Sequence, residues 1–181
     1  EQALLLNRIS DIPKDILKDI DIFIEFTNPG SALNNIKEIS KVKDNAKIIS
    51  GTTAWDIKDL SEILNKKPVL ILHSSNFSIG VSIIKKILDL IAKEIKGKDD
   101  FEASMVEYHH KSKKDAPSGT AKNLANILEK QGISCPISSV RSGTYPGTHS
   151  ISFDSEFETI ELKHTARNRD IFCKGVLLAA E

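Results

Sequence analysis

Cysteine is nearly absent from this chain: Cys135 and Cys173 are the two in 181 residues, far apart and in no CxxC or Cys/His spacing. That argues against a disulfide scaffold or structural zinc site and for reduced thiols in a cytoplasmic protein. Excess charge is absent too, with 25 basic residues against 25 acidic ones. No global field draws in nucleic acid, so any anion must be held by a local cluster. No apolar run approaches a membrane span. The opening residues, Glu1-Gln2-Ala3-Leu4-Leu5-Leu6, lack the basic region and length of a signal peptide. No HxH or HExxH spacing occurs, and no metal site is expected. No GxGxxG-like run occurs either, although a dinucleotide-binding sheet normally opens with one to carry the pyrophosphate.

What is present reads as strand–helix alternation. Residues 3–6, 21–26, 46–50 and 68–72 are short apolar strands, apolar throughout, as in a parallel sheet covered on both faces. The turn Thr27-Asn28-Pro29-Gly30 ends the second, Ser31 is placed to cap the next helix, and Leu60, Ile63 and Leu64 are expected inward on another. This pattern predicts a Rossmann-like, doubly wound α/β nucleotide-binding domain lacking its N-terminal strand and Gly-rich turn. After Asn76 come a long amphipathic helix (81–95), a strand (101–108), a polar loop (109–117), a helix (118–130), strands at 138–141 and within 149–163, and a last helix (168–180). Alternation of Ile151 with Phe153, and of Ile160 with Leu162, gives each strand one apolar face. The predicted domains are 1–77 with 169–181 for dinucleotide binding, incomplete, and 78–168 as a smaller α+β substrate and oligomerisation domain with a mixed sheet. The missing turn and an end inside a helix are read as those of a piece of a longer protein.

The chemistry concentrates in residues 107–121 (EYHHKSKKDAPSGTA). His109 and His110 sit at a strand end and can exchange protons near neutral pH. Lys111, Lys113 and Lys114 supply positive charge. Ser118 is a good N-cap, Gly119 admits a ligand close to the backbone, and the free amides of a helix N-terminus favour a carboxylate or phosphate. Each feature alone has an ordinary structural reading: a partly buried histidine, a solvated lysine run, a cap. Their concentration in one loop points to a small-anion site with acid–base groups beside it.

This segment resembles the signature of the 4-hydroxy-tetrahydrodipicolinate reductase family, E-[AY]-H-H-x-x-K-x-D-A-P-S-G-T-A. The resemblance extends over nearly the whole chain, through DIFIEFTNP (21–29), ISGTT (49–53), SNFSIGV (75–81), VRSGTYPGTH (140–149) and residues 162–175. It implies hydride transfer from NADPH or NADH to an unsaturated cyclic imine bearing two carboxylates, yielding tetrahydrodipicolinate for diaminopimelate and lysine synthesis. By resemblance His109 is the proton donor/acceptor and Lys113 the second acid. His110, Gly119 and Thr120 would hold the dicarboxylate. Gly51, Thr52 and Thr53, Ser74, Ser75, Asn76 and Phe77, and less directly Arg169 and Phe172, would meet the cofactor. Asn7 stands where the family has an acid and Arg8 is kept, so NADPH is expected to bind at least as well as NADH. A cytoplasmic homotetramer is expected on the same ground.

Departures are Ala54 for Gly, Glu25 for Asp, and Phe157 and Thr159 in the strand on the tetramer side. Rival readings are a metal hydrolase using His109, His110, His149 and His164, a non-catalytic nucleotide or anion module, a nucleic-acid binder, and another two-domain reductase of a small carboxylate. Adjacent strand histidines point to opposite faces, which disfavours the first. Intact His109 and Lys113 disfavour the second, and the lack of an aromatic platform the third.

Overall fold

A computed structural model describes residues 13–53, 55, 57–61, 68–98 and 100–181. They divide into two units, one running to Ser75 and taking back Leu178–Glu181, the other Asn76–Leu177. The strand predicted at 3–6, Arg8, Ala54, Ile63 and Leu64 lie outside the described residues.

In the first unit β1 (Ile22–Glu25), β2 (Ala46–Ser50) and β3 (Val69–His73) pair in parallel in that order. Register puts Phe23, Ile48 and Ile71 side by side. They pack with α1 (Lys14–Asp19) through Leu17 and with α2 (Pro29–Val42) through Ile36 and Ile39. Leu60, closing a 3₁₀ turn at Ile57–Leu60, is fully buried in the same cluster. On the other face Ile24, Leu70 and Leu72 are exposed. Helix α2 starts earlier than the sequence indicated: Asn28, not Ser31, is its N-cap, because Pro29 fits the first helical position with φ preset and no N–H to satisfy.

In the second unit β4 (Glu102–His109) is parallel to β5 (Ile137–Arg141) and antiparallel to β6 (Thr148–Asp154), which pairs with β7 (Thr159–Thr165), so the sheet is mixed. Two amphipathic helices cover one face, α3 (Ile79–Ile95) and α4 (Gly119–Glu129), through Leu88, Ala92, Leu124 and Leu128. Both begin at serine caps: Ser78 Oγ accepts from the Val81 amide and Ser118 Oγ from the Ala121 amide. Strand alternation turns Ala103 and Met105 of β4 and Ile151 and Phe153 of β6 into this core. Leu162 packs against it, but Ile160, expected on the apolar face, is 38% exposed where β7 forms the sheet edge. The last helix, α5 (Asp170–Ala180), places Gly175 against the backbone of Phe77: a Cβ there would lie 1.7 Å from the Phe77 carbonyl oxygen. No described helix is long and apolar enough to cross a membrane.

Candidate active site

The inward face of β4 changes character along its length. Ala103 and Met105 are apolar; Glu107 and His109, next in the same alternation, are polar and buried. Register sets His149 opposite Glu107 on β6, His164 opposite His149 on β7, and Ser139 opposite Glu107 on β5. A carboxylate and three imidazoles thus continue the hydrophobic core at one end of the sheet.

Glu107 organises this end. Its Oε1 accepts from the Ser118 amide at 2.9 Å, Ser139 Oγ at 2.7 Å and the Arg141 guanidinium at 2.7 Å. Burial pushes its carboxyl up, but hydrogen bonds from Ser118, Arg141 and Ser139 outweigh that and hold its pKa at about 2. Its Oε2 makes no aligned hydrogen bond, yet lies 3.1 Å from His109 Nδ1 and 3.8 Å from His149 Nε2. The His109 and His149 rings meet edge to face at 5.3 Å. Burial lowers the pKa of His109; Glu107 opposes this and Lys113 reinforces it. Burial lowers His149 to about 4, so at neutral pH it is an uncharged ring, and its Nε2 lies 3.2 Å from Ser118 Oγ.

The predicted residues of this segment come together. Lys113 is charge-coupled to His109 and paired to Asp115 at 2.7 Å. Ser118 is the N-cap, as its sequence position implied. A Cβ added at Gly119 would meet nothing within 4 Å, so the helix start is open there. Asn76 Nδ2 donates to Thr120 Oγ1 at 3.0 Å, and Asn76, His109, Thr120, Gly147, His149 and Phe172 line one cavity of about 40 Å³. His110 has Nδ1 2.8 Å from Ser112 Oγ and Nε2 3.5 Å from Arg169. Alternation alone marks Glu107 as inward; sequence reasoning assigned no role to it, to Arg141 or to His149 in the reductase reading.

Gly51, Thr52, Thr53, Ser74 and Ser75 sit at the C-terminal edge of the first sheet. Glu25, at the end of β1, accepts hydrogen bonds from Thr27, Ser50 and Thr52, and the Thr27 amide also donates to Thr52 Oγ1. This knits the turn after β2. Thr52 spends its hydroxyl there and its carbonyl on His73 Nε2 at 3.0 Å. Gly51 must lack a side chain, since a Cβ would lie 2.1 Å from the Phe26 ring. Thr53 and Ser75 are exposed, Ser74 half-buried with its amide on the Ser50 carbonyl, and Phe77 buried. The turn lies at the carboxyl ends of parallel strands, where open α/β sheets bind ligands.

Glu107, His109 and His149 also present ligand atoms within 4.8 Å of one another, the spacing of a metal cluster. The Arg141 guanidinium already neutralises Glu107, and a dication would sit against that charge. The cluster is better suited to passing a proton than to holding a cation.

A parallel-stranded α/β unit carried in one chain with buried proton-handling groups beside an open helix start is the arrangement of a nicotinamide-dependent oxidoreductase. The family models for dihydrodipicolinate reductase match in two parts, the N-terminal one over residues 5–77 and the C-terminal one over 80–181. The chain is 34% identical to the 4-hydroxy-tetrahydrodipicolinate reductase of Christiangramia forsetii, over 94% of this chain and 78% of that one. It is 38% identical to that of Thermosipho africanus, over 89% and 71%. A dipicolinate-bound dihydrodipicolinate reductase from Paenisporosarcina sp. TG-14 superposes with a TM-score of 0.71 at 25% identity, covering 88% of this chain and 67% of that one. This chain belongs to the dihydrodipicolinate reductase family.

Proposed function

We propose that the protein reduces 4-hydroxy-tetrahydrodipicolinate to tetrahydrodipicolinate in the diaminopimelate route to lysine. NADPH or NADH supplies the hydride when bound. The 4-hydroxyl must leave as water and each hydride delivered must be matched by a proton, and the chain's own groups handle these protons: His109 as proton donor/acceptor and Lys113 as second acid. Gly119 and Thr120 offer helix-start amides to one substrate carboxylate, where the macrodipole adds to the hydrogen bonds. His110 and the lysine loop complement the second carboxylate. Gly51, Thr52, Thr53, Ser74, Ser75, Asn76, Phe77, Arg169 and Phe172 are assigned to the cofactor. Thr52 already engages its hydroxyl and carbonyl within the turn. Nucleotide binding is assigned to 1–77 with 169–181 and substrate binding to 78–168.

The observation that carries this reading is the sharing of one carboxylate. Glu107 holds the Ser118 amide, at the helix start, and lies against the His109 ring. A bound acid and a proton donor are thereby tied to the same atom pair.

The test is NADPH oxidation with freshly generated substrate, by the native chain and by His109→Ala and Lys113→Ala. The native chain turns over; full turnover in both variants would sink the assignments. A cytoplasmic homotetramer and equal or better use of NADPH through Arg8 belong to the same proposal. Light scattering checks the first for its assembly, and Michaelis constants strongly favouring NADH would contradict the second.

A further inference from the structure

We propose that Glu107 is a positioning residue for this reaction: its Oε2 dictates which nitrogen of His109 carries hydrogen, and its Oε1 locks that ring to the start of α4. The inference rests on the reductase reading for what the imidazole does, and on geometry alone for what the carboxylate does to it.

The argument begins with lone pairs. Glu107 Oε2 and His109 Nδ1 are 3.1 Å apart, both buried. The two atoms are not aligned as a hydrogen bond, but at that distance the carboxylate's negative charge repels a bare lone pair on Nδ1 and attracts an N–H there. The neutral ring therefore carries its hydrogen on Nδ1, and Nε2 is left bare to accept and return a proton. Nε2 faces Gly147, where a Cβ would come within 3.1 Å of it and where the backbone has φ of +154°. A glycine at that position keeps the working nitrogen open to the cavity.

The other oxygen cannot yield. Its donors are a backbone amide, a serine hydroxyl and a guanidinium, and two of these cannot become acceptors. The Arg141 guanidinium is itself held by the Asp115 carbonyl at 2.6 Å. A glutamine at 107 would turn its NH₂ either onto these donors or onto the Nδ1 hydrogen. The second choice is the milder, and it forces His109 to carry its hydrogen on Nε2 instead. A carboxylate that orients an imidazole in this way acts on its tautomer and on the stability of its charged form.

The charged groups facing His109 are Glu107 on its own strand, Lys113 and Asp115 in the following loop, Arg141 on β5, and the neutral His149 on β6. Glu107 and Asp115 favour the imidazolium; burial, Lys113 and Arg141 oppose it. Removing the Glu107 charge therefore moves His109 protonation to lower pH.

The experiment is nitrogen-15 NMR of histidine-labelled full chain, with His109 assigned by its loss in His109→Ala, alongside steady-state kinetics. In the native protein at neutral pH, Nδ1 is protonated and Nε2 bare. In Glu107→Gln the hydrogen moves to Nε2, the His109 midpoint falls by about one pH unit, and kcat drops about 100-fold while KM changes little. Glu107→Asp, which keeps the charge, restores the native midpoint in part. A native ring with its hydrogen on Nε2 overturns the proposal, and that measurement decides even if Glu107→Gln does not fold. A Glu107→Gln protein with native tautomer and midpoint also overturns it, whatever its kcat. Absence of turnover in the native chain overturns the reductase reading alone, since the nitrogen signals report on Glu107 without it.

Discussion

Among the described residues each unit buries one glutamate at or near the carboxyl end of a strand, and the two are put to different use. Glu25 is surrounded by donors that can reverse their role: Ser50, Thr27 and Thr52 each offer a hydroxyl, and only the Thr27 amide is fixed. Both its oxygens are committed, and the result is a well-tied turn. Glu107 is surrounded by an amide and a guanidinium that can only donate, and it keeps one oxygen against two imidazoles. Burial alone does not make a carboxylate a working group. An uncommitted oxygen facing a titratable ring does.

The comparison breaks or sharpens by experiment. The largest expected effects fall at the two groups assigned to proton transfer, His109 against Glu107 and Lys113 in the following loop: His109→Ala and Lys113→Ala each lower kcat about 10²- to 10⁴-fold, measured by NADPH oxidation. If the equivalent loss followed from Glu25→Gln, the contrast between the two carboxylates would fail.

Acid stability comes next. His149 has a folded pKa of about 4 against 6.5 in the open chain. The unfolded chain therefore binds the proton first, and stability present above pH 6.5 is lost as pH falls toward 4, by roughly 3 kcal/mol from this group. Glu107, at about 2 against 4.5, adds a second loss between pH 4.5 and 2. Urea titrations at pH 7 and pH 5 should show a smaller difference for His149→Asn than for the native chain; an equal difference would remove His149 from the account.

Two glycines give a paired test of packing. In Gly175→Ala the new methyl meets the Phe77 carbonyl, which is backbone and cannot step aside, and about 1–3 kcal/mol of stability is lost. In Gly51→Ala it meets the Phe26 ring, a 49% exposed side chain rather than backbone, so the cost is smaller. Thermal melts that ranked them the other way would show that the Phe26 ring is held. The smallest effect is Glu25→Gln, at about 1 kcal/mol with no change in the pH dependence of turnover, because its hydroxyl partners can accept as well as donate.

How much of this was legible beforehand varies by residue. Ser118 was readable as an N-cap because capping involves three neighbouring residues. Strand β2 matched its sequence bounds because an apolar run ends at a glycine turn. Helix α2 began before its predicted cap because proline at the first position outweighs a serine two residues on. Ile160 follows the alternation of β7 and still lies exposed, since an edge strand has no further neighbour to cover it. His149 has no sequence mark that sets it beside Glu107, 42 positions earlier; antiparallel register does that. The Asn76–Thr120 and His110–Arg169 contacts, 44 and 59 positions apart, were equally out of reach.

The amino-acid order by itself determined the family, the proton-transfer candidates and the helix start, since these rest on residue types at short, fixed spacings. Only the tertiary structure decided which nitrogen of His109 faces a carboxylate, which glutamate keeps a spare oxygen, and which rings are too buried to charge. Those properties depend on separations of 3–4 Å between groups from different strands, and at such distances electrostatic energies change steeply with small shifts in packing.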